Sequence, residues 1–105
     1  SVDKMAEDPH AKRILKAFLR ADMPTALVGD GAKLMIASDD AKDRAVTGSP
    51  LIQEAMVEAG ADWQEESVVV SGNLVSGTGA DSIHQVMEKF AELVAAYESE
   101  VNEAA

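Results

Sequence analysis

PTALVGDGAKLMIA, residues 24–37, decides the fold of this chain. Residues 24–28 predict a short buried strand, and the apolar run that follows predicts a helix over residues 31–38. A strand that breaks sharply into a helix raises one side chain above the edge of a sheet. It also directs the next backbone N–H groups towards a reacting oxyanion. The turn here is Gly29-Asp30-Gly31, and its raised residue, Gly29, has no side chain. The stretch therefore predicts a nucleophile elbow without a nucleophile. Because such a turn is strained, we expect Gly29 to be buried and Gly29 or Asp30 to have unusual backbone dihedrals.

The residues before this stretch predict an amphipathic helix. Asp8 is a good N-cap residue, and Pro9 suits the first helical position. Four apolar residues then fall on one stripe: Ile14, Leu15, Phe18 and Leu19. Because Pro24 disfavours helical backbone at the residue before it, we expect the helix to end near Ala21-Asp22.

The residues after the stretch predict further short strands and helices. We expect strands at 45–47, 61–63, 67–70 and 74–76, and helices at 50–59 and 82–97. The β-branched runs on either side of Ser71-Gly72-Asn73 are typical of a hairpin. Gly60 suits the C′ position of its helix, and Ser82 with Gln85 matches a capping box. We expect the acidic tail, residues 98–105, to fray.

Helices that alternate with short apolar strands predict an α/β fold. The expected architecture is flavodoxin-like: a parallel sheet with helices on both faces, plus a β-hairpin. A doubly wound sheet usually has about five strands or more, whereas this sequence predicts about two parallel strands and the hairpin. We therefore interpret residues 1–105 as a single partial domain.

Composition excludes several classes of function. Nine basic residues against 19 acidic ones give a net charge of −10, which argues against nucleic acid and anionic membranes as partners. The acidity suits a solvated surface, a cationic partner or a high-salt cytoplasm. There is no cysteine, so disulfides, thiolate metal sites and cysteine nucleophiles are excluded. No run of apolar residues approaches the ~20 needed to span a bilayer. We expect a cytoplasmic protein.

Four segments, in this order, resemble the ThiJ/PfpI superfamily of protease, glyoxalase and deglycase-like proteins. They are residues 27–31 (LVGDG), 43–50 (DRAVTGSP), 59–63 (AGADW) and 68–76 (VVVSGNLVS), with Gly79 and Asp81 behind them. The third and fourth segments in succession carry most of the resemblance. It implies the fold of class I glutamine amidotransferases, of which this chain would form the carboxyl-terminal half.

The resemblance also implies that two residues of the family's active site are replaced in this chain. Gly29 stands where the family has its nucleophilic Cys, Asp30 stands where a His follows, and Gly31 keeps the family's Gly. The family's poising Glu belongs to the amino-terminal half, which this chain does not include. Gly29, Asp30 and Gly31 are thus interpreted as a degenerate elbow, with no catalytic residue, no cofactor and no metal expected.

Other residues offer weak alternatives. Asp30 beside a helix N-terminus could act as nucleophile or base, but an N-capping role is the simpler interpretation. His10 and His84 lie in the first turns of helices and are expected at the surface. Ser49 is expected to cap a helix, and Trp63 to pack in the core or an interface. Gly29-x-Gly31 could bind an anion, but Asp30 opposes a phosphate.

Two functions of different classes remain open. The first is a non-catalytic domain that acts by association, in a structural, oligomerisation or chaperone-like role, as in the accessory domain of large-subunit catalases. The second is a hydrolase or glyoxalase/deglycase completed by a separate chain or by a substitute residue. With half a domain, the strand at 25–28 is expected to have an open edge. We therefore expect a homo-oligomer or a companion chain, with an apolar contact that strengthens as salt rises.

Overall fold

The computed structural model describes the backbone of residues 2–104 and the side chains of residues 3–5 and 7–103. The helices are α1 (Val2–Glu7), α2 (Pro9–Arg20), α3 (Leu34–Ala37), α4 (Gln53–Glu58) and α5 (Ile83–Ala104). The strands are β1 (Thr25–Val28), β2 (Ala45–Val46), β3 (Asp62–Trp63), β4 (Val68–Ser71) and β5 (Leu74–Gly77). Short 3₁₀ turns cover Gly29–Lys33, Pro50–Ile52 and Ala80–Ser82.

The strands form a sheet in the order β1-β5-β4 and a separate pair, β2-β3. β1 runs parallel to β5 with Thr25 opposite Leu74, β4 runs antiparallel to β5, and β2 runs parallel to β3. A buried hydrogen bond joins the two sheets, since the Thr47 N–H donates to Ser76 Oγ at 3.0 Å. The α/β fold with a hairpin is confirmed. In the described part of the chain, β1 has a strand on one side only.

Helices cover both faces of the sheet, as expected. On one face, α2, α3 and α4 enclose a core that includes Leu15, Leu19, Met35, Val46, Met56 and Leu74. Successive side chains of a strand point to opposite faces, so Gly77 lies on the other face from Leu74. There Val86 of α5 packs against Gly77 and is 1% exposed.

The expected signals begin α2 and end α4. The Asp8 side chain accepts a hydrogen bond from the His10 N–H at 2.9 Å, and Pro9 occupies the first helical position. At the end of α4, Gly60 adopts a φ of +91°. The Ala61 N–H then donates to the Met56 carbonyl at 3.0 Å, which closes a Schellman motif.

Three boundary predictions are wrong. Residues 31–38 form a 3₁₀ turn followed by four α-helical residues instead of one regular helix. Ser82 ends a 3₁₀ turn, and its Oγ bonds the Gly79 N–H and carbonyl instead of forming a capping box with Gln85. The expected frayed tail at 98–105 is helical as far as Ala104. Residues 98–104 contain no Gly or Pro, and Val101 extends the apolar stripe of α5.

In the described part of the chain, α5 has 22 residues but is too polar to cross a membrane, and the other helices are shorter.

The close approach of α5 to the sheet gives the first prediction. A Cβ added at Gly77 would overlap Val86 Cγ2 and would lie 2.7 Å from Ser82 Oγ. We expect Gly77→Ala to lower the free energy of unfolding by about 1–3 kcal/mol, because the helix must move away from the strand. Urea denaturation followed by circular dichroism measures the change.

Gly79→Ala is the matched control for that variant. No atom lies within 4 Å of its new Cβ, and its backbone is extended, with φ 165°. It should change the free energy of unfolding by less than about 0.5 kcal/mol. Equal losses of unfolding free energy in Gly77→Ala and Gly79→Ala would contradict the close packing of α5 against β5.

Candidate functional site

The elbow lies where β1, β2 and β5 end at one edge of the molecule. β1 ends at Val28, and Gly29 begins the turn. The segment that follows β2 contacts this turn, since the Ser49 N–H donates to the Gly29 carbonyl at 3.2 Å. Ligands in α/β proteins bind at the carboxyl ends of the strands, so this edge is the first candidate for a site.

Gly29 has a backbone that other residues rarely adopt. Its φ is +61°, in the left-handed region that favours glycine. The sequence prediction of unusual dihedrals at Gly29 or Asp30 is therefore confirmed, although Gly29 is half-buried rather than buried. A Cβ at Gly29 would lie 3.7 Å from the Thr78 carbonyl oxygen and 3.8 Å from Gly79 Cα. These are ordinary contacts, so the turn has room for a Cβ atom, although a side chain there would strain the left-handed backbone.

Asp30 does not cap a helix. It is the second residue of the 3₁₀ turn, its side chain is exposed, and Val28 stands at the N-cap position without a side-chain hydrogen bond. Among the hydrogen bonds and ion pairs of the described residues, none involves the Asp30 carboxylate. The N-cap interpretation of Asp30 is wrong, because the turn tightens to 3₁₀ geometry directly at Gly29.

Of the other candidate residues, Ser49 meets the elbow through its backbone N–H, and among the described residues no hydrogen bond joins either histidine to the elbow. His10 and His84 are both exposed, each in the first turn of its helix. Ser49 caps the next turn, since its Oγ accepts a hydrogen bond from the Leu51 N–H at 3.2 Å. Trp63 is half-buried against the core, as expected. Within the described residues, no three His, Asp or Glu side chains are grouped to hold a metal ion.

An open pocket of about 280 Å³ adjoins the elbow. Its lining includes Thr47, Gly48, Gln53, Trp63, Glu65 and Thr78. The Gln53 amide donates to the Glu65 carboxylate at 3.4 Å. The sequence did not predict this pocket, because its residues come from separate loops whose meeting depends on the tertiary fold. It offers carboxylates, amides and hydroxyls, but neither imidazole of the chain lines it.

A second feature is an apolar groove of about 290 Å³ beside the open edge of β1. Its lining includes Met5 of α1, Ile14 and Phe18 of α2, Leu34 of α3 and Thr25 of β1. Ile14 is 58% exposed and Phe18 is 39% exposed. The groove and the strand edge together form an uncovered apolar surface.

Known proteins resemble the chain in sequence. The profile of the DJ-1/PfpI family matches residues 1–93. A deglycase of Pyrococcus abyssi is 31% identical over 84 residues, which cover 80% of this chain and 51% of the relative. An uncharacterized protein of Staphylococcus epidermidis is 34% identical over 68 residues, or 65% of this chain and 40% of the relative.

Solved structures share the fold. A ThiJ/PfpI domain protein of Brachyspira murdochii is 26% identical with a TM-score of 0.72, over 88% of this chain and 52% of that one. DJ-1beta of Drosophila melanogaster shares the fold at a TM-score of 0.80 and 17% identity, over 89% of this chain and 50% of its own. The chain thus spans about half the length of these relatives. The match of the family profile over residues 1–93 shows that this chain belongs to the DJ-1/PfpI family.

Proposed function

We propose that this chain does not perform the cysteine chemistry of its family and acts by association with another polypeptide. The observation that carries the proposal is Gly29, at the turn where the resemblance expects a nucleophile. The turn has left-handed backbone and room for a Cβ atom at Gly29, yet it carries no side chain. Since the sequence contains no cysteine, no other residue of this chain supplies a thiol.

The neighbours of the elbow do not offer a substitute mechanism. Asp30 is exposed and accepts no hydrogen bond from the described residues, so nothing orients it as a nucleophile or base. The pocket beside the elbow has hydroxyl groups at Thr47, Ser67 and Thr78. A hydroxyl needs an adjacent base to become nucleophilic. Glu65 and Glu66 also line this pocket, but among the described residues none of the three hydroxyls is hydrogen-bonded to a carboxylate or to a histidine.

The association half of the proposal rests on the open edge of β1 and the groove beside it. An unpaired, uncharged strand edge accepts another chain readily, and large apolar patches on a protein surface usually mark interfaces. The proposed roles are structural, oligomerising or chaperone-like, as the resemblance to the catalase accessory domain suggests. A cytoplasmic location belongs to the same proposal.

The alternative is a hydrolase or a glyoxalase/deglycase that a separate chain completes, or that uses a substitute residue. The similarity to the deglycase of Pyrococcus abyssi favours it. Two glutamates, Glu65 and Glu66, line the pocket beside the elbow and could act as bases if another chain supplied a nucleophile. This alternative requires a nucleophile from a second polypeptide or from a substitute residue, whereas the proposed function requires association without chemistry.

An activity assay separates the proposed function from the enzymatic alternative. We expect the purified chain to consume neither methylglyoxal nor a general peptide substrate above a buffer blank, because its elbow has no reactive atom. Asp30→Asn is assayed in parallel as an isosteric change at the one acidic residue of the turn. Turnover that this substitution abolishes would overturn the proposed function in favour of a substitute nucleophile.

Restoring the two replaced residues tests the assignment of the elbow. We expect Gly29→Cys with Asp30→His to give a thiol that iodoacetamide alkylates with a pKa near ~8.5, because no acid poises it. Turnover should stay negligible. Left-handed backbone at a non-glycine residue costs about 1–2 kcal/mol, so the variant should unfold more easily by that amount.

Gly31→Cys is the matched control for the double variant. Its φ is not left-handed, and no atom lies within 4 Å of its new Cβ, so it should lose little stability. Equal stability in the two cysteine variants would contradict the backbone described for Gly29. Activity at family-like rates in the double variant would mean that a poising acid is supplied within the assembly.

A further inference from the structure

The pocket beside the elbow combines acidic and aromatic side chains. Glu65 and Glu66 lie in the loop after β3, and Trp63 ends β3. In the described part of the chain, no basic residue lines the pocket, and the ion pairs involve neither glutamate. The two carboxylates are therefore unbalanced by any cation of the lining, in a chain whose net charge is −10. Such a pocket concentrates small cations from solution.

The hydroxyl of Thr47 lacks a hydrogen-bond partner in the same pocket. Thr47 lines the pocket and is only 1% exposed. Its backbone N–H donates to Ser76 Oγ, but among the described residues no hydrogen bond involves its own hydroxyl. Burying a polar group without a partner is costly, and native proteins rarely leave one unpaired. The pocket therefore offers a hydrogen-bonding group that the chain itself does not satisfy.

The chemistry of this lining selects an organic cation. An ammonium group is attracted by carboxylates and by the π face of a tryptophan, and its N–H groups donate hydrogen bonds to hydroxyl oxygens. A metal ion fits less well, since within the described residues no three His, Asp or Glu side chains are grouped to hold one. The pocket has a volume of about 280 Å³. Ligand pockets usually have about 300–1,000 Å³, so the ligand is small.

We infer that this pocket binds a small primary alkylammonium ion. The charged group lies among Glu65, Glu66 and Trp63, and it donates a hydrogen bond to the hydroxyl of Thr47. The Gln53 amide donates to the Glu65 carboxylate at 3.4 Å, which holds that carboxylate at the pocket. The site needs no thiol and no second polypeptide, so it goes beyond the proposed function and does not depend on it.

Trp63 provides the signal for a binding experiment, because it is the only tryptophan of the sequence. Its fluorescence is measured while the purified chain is titrated with butylammonium chloride, with sodium chloride at equal concentrations as the reference. We expect a saturable change with a dissociation constant of about 10 mM or below, as for other small fragments. Calorimetry measures the same constant without the fluorophore.

Butanol is the neutral analogue of this ligand. It should give no saturable change, because the carboxylates attract only the charged group. Equal binding of butanol and butylammonium would overturn the inference. So would the absence of saturable binding of butylammonium in both fluorescence and calorimetry.

Glu65→Gln with Glu66→Gln tests the carboxylates. The change removes both charges and keeps the size of the side chains, so the dissociation constant for butylammonium should rise about tenfold or more. Glu88→Gln with Glu98→Gln on α5 is the matched control, since it makes the same change in net charge at exposed residues that do not line the pocket. It should change the constant by less than about twofold, because salt screens distant charges. An equal rise in both variants would contradict a site at this pocket.

Thr47→Val and Thr47→Ser test the hydroxyl. Valine has nearly the shape of threonine without the hydroxyl, so Thr47→Val should raise the dissociation constant about tenfold. The midpoint of its urea denaturation should not fall, because no hydrogen bond of the described structure uses that hydroxyl. Thr47→Ser keeps the hydroxyl and should bind with nearly the original affinity. Normal binding by the Thr47→Val variant, or equal losses of affinity in the two variants, would overturn the inference.

A free amine and a lysine side chain of another protein present the same ammonium group. Acetyl-lysine methylamide, acetylated on its α-amino group, carries that group on a peptide backbone and is titrated in the same way. Binding of both ligands would assign the pocket to lysine side chains as well, whereas binding of butylammonium alone would assign it to free amines. The activity assay of the proposed function is independent of these titrations, so the failure of either proposal leaves the other standing.

Discussion

The buried hydrogen bond from the Thr47 N–H to Ser76 Oγ holds the elbow in its shape. Both residues are almost fully buried. Thr47 directly follows β2, and Ser76 lies in β5. The bond keeps the segment after β2 against β5, which in turn lets the Ser49 N–H reach the Gly29 carbonyl. A buried donor left without its partner costs about 1–3 kcal/mol, so this pair fixes how the strand ends meet.

β5 is the element to which these contacts converge. It is paired with β1 on one side and β4 on the other, and all four of its residues are buried. A second polar link, from Arg44 Nη1 to the Ser71 carbonyl at 3.2 Å, ties β2 to the hairpin. So few strands can hold the elbow in place because the central strand, β5, is paired along both edges and packed on both faces.

Local sequence signals predicted most of the elements. Asp8-Pro9 begins α2, and the β-branched runs on either side of Gly72-Asn73 form the hairpin. Unusual dihedrals were expected at Gly29 or Asp30, and Gly29 has them. Each of these depends on residues close together in the chain. The length of α5 was missed because an acidic tail resembles a frayed end, although its residues are good helix formers.

The surroundings of the elbow could not be predicted in the same way. Ser76 and Thr47 are 29 residues apart, and neither is distinguished from other hydroxyl residues by its neighbours in sequence. The exposed side chain of Asp30 depends on the tight 3₁₀ turn, for which the sequence gives no clear signal. The groove beside β1 requires α1, α2 and α3 to be packed together before it exists.

Because β1 is paired on one side only, its backbone amides fall into two sets, those that face β5 and those that face away from the sheet. The Thr25 N–H donates to the Asn73 carbonyl at 2.9 Å, so Thr25 and Leu27 direct their amides towards β5. Ala26 and Val28 must then direct theirs away from the sheet. Along a single four-residue strand, amide hydrogens that exchange only on global unfolding alternate with hydrogens that water reaches in the native state. A neighbouring chain that covered this edge would also protect the amides that face away from β5. The hydrogens of both sets would then exchange at similar rates.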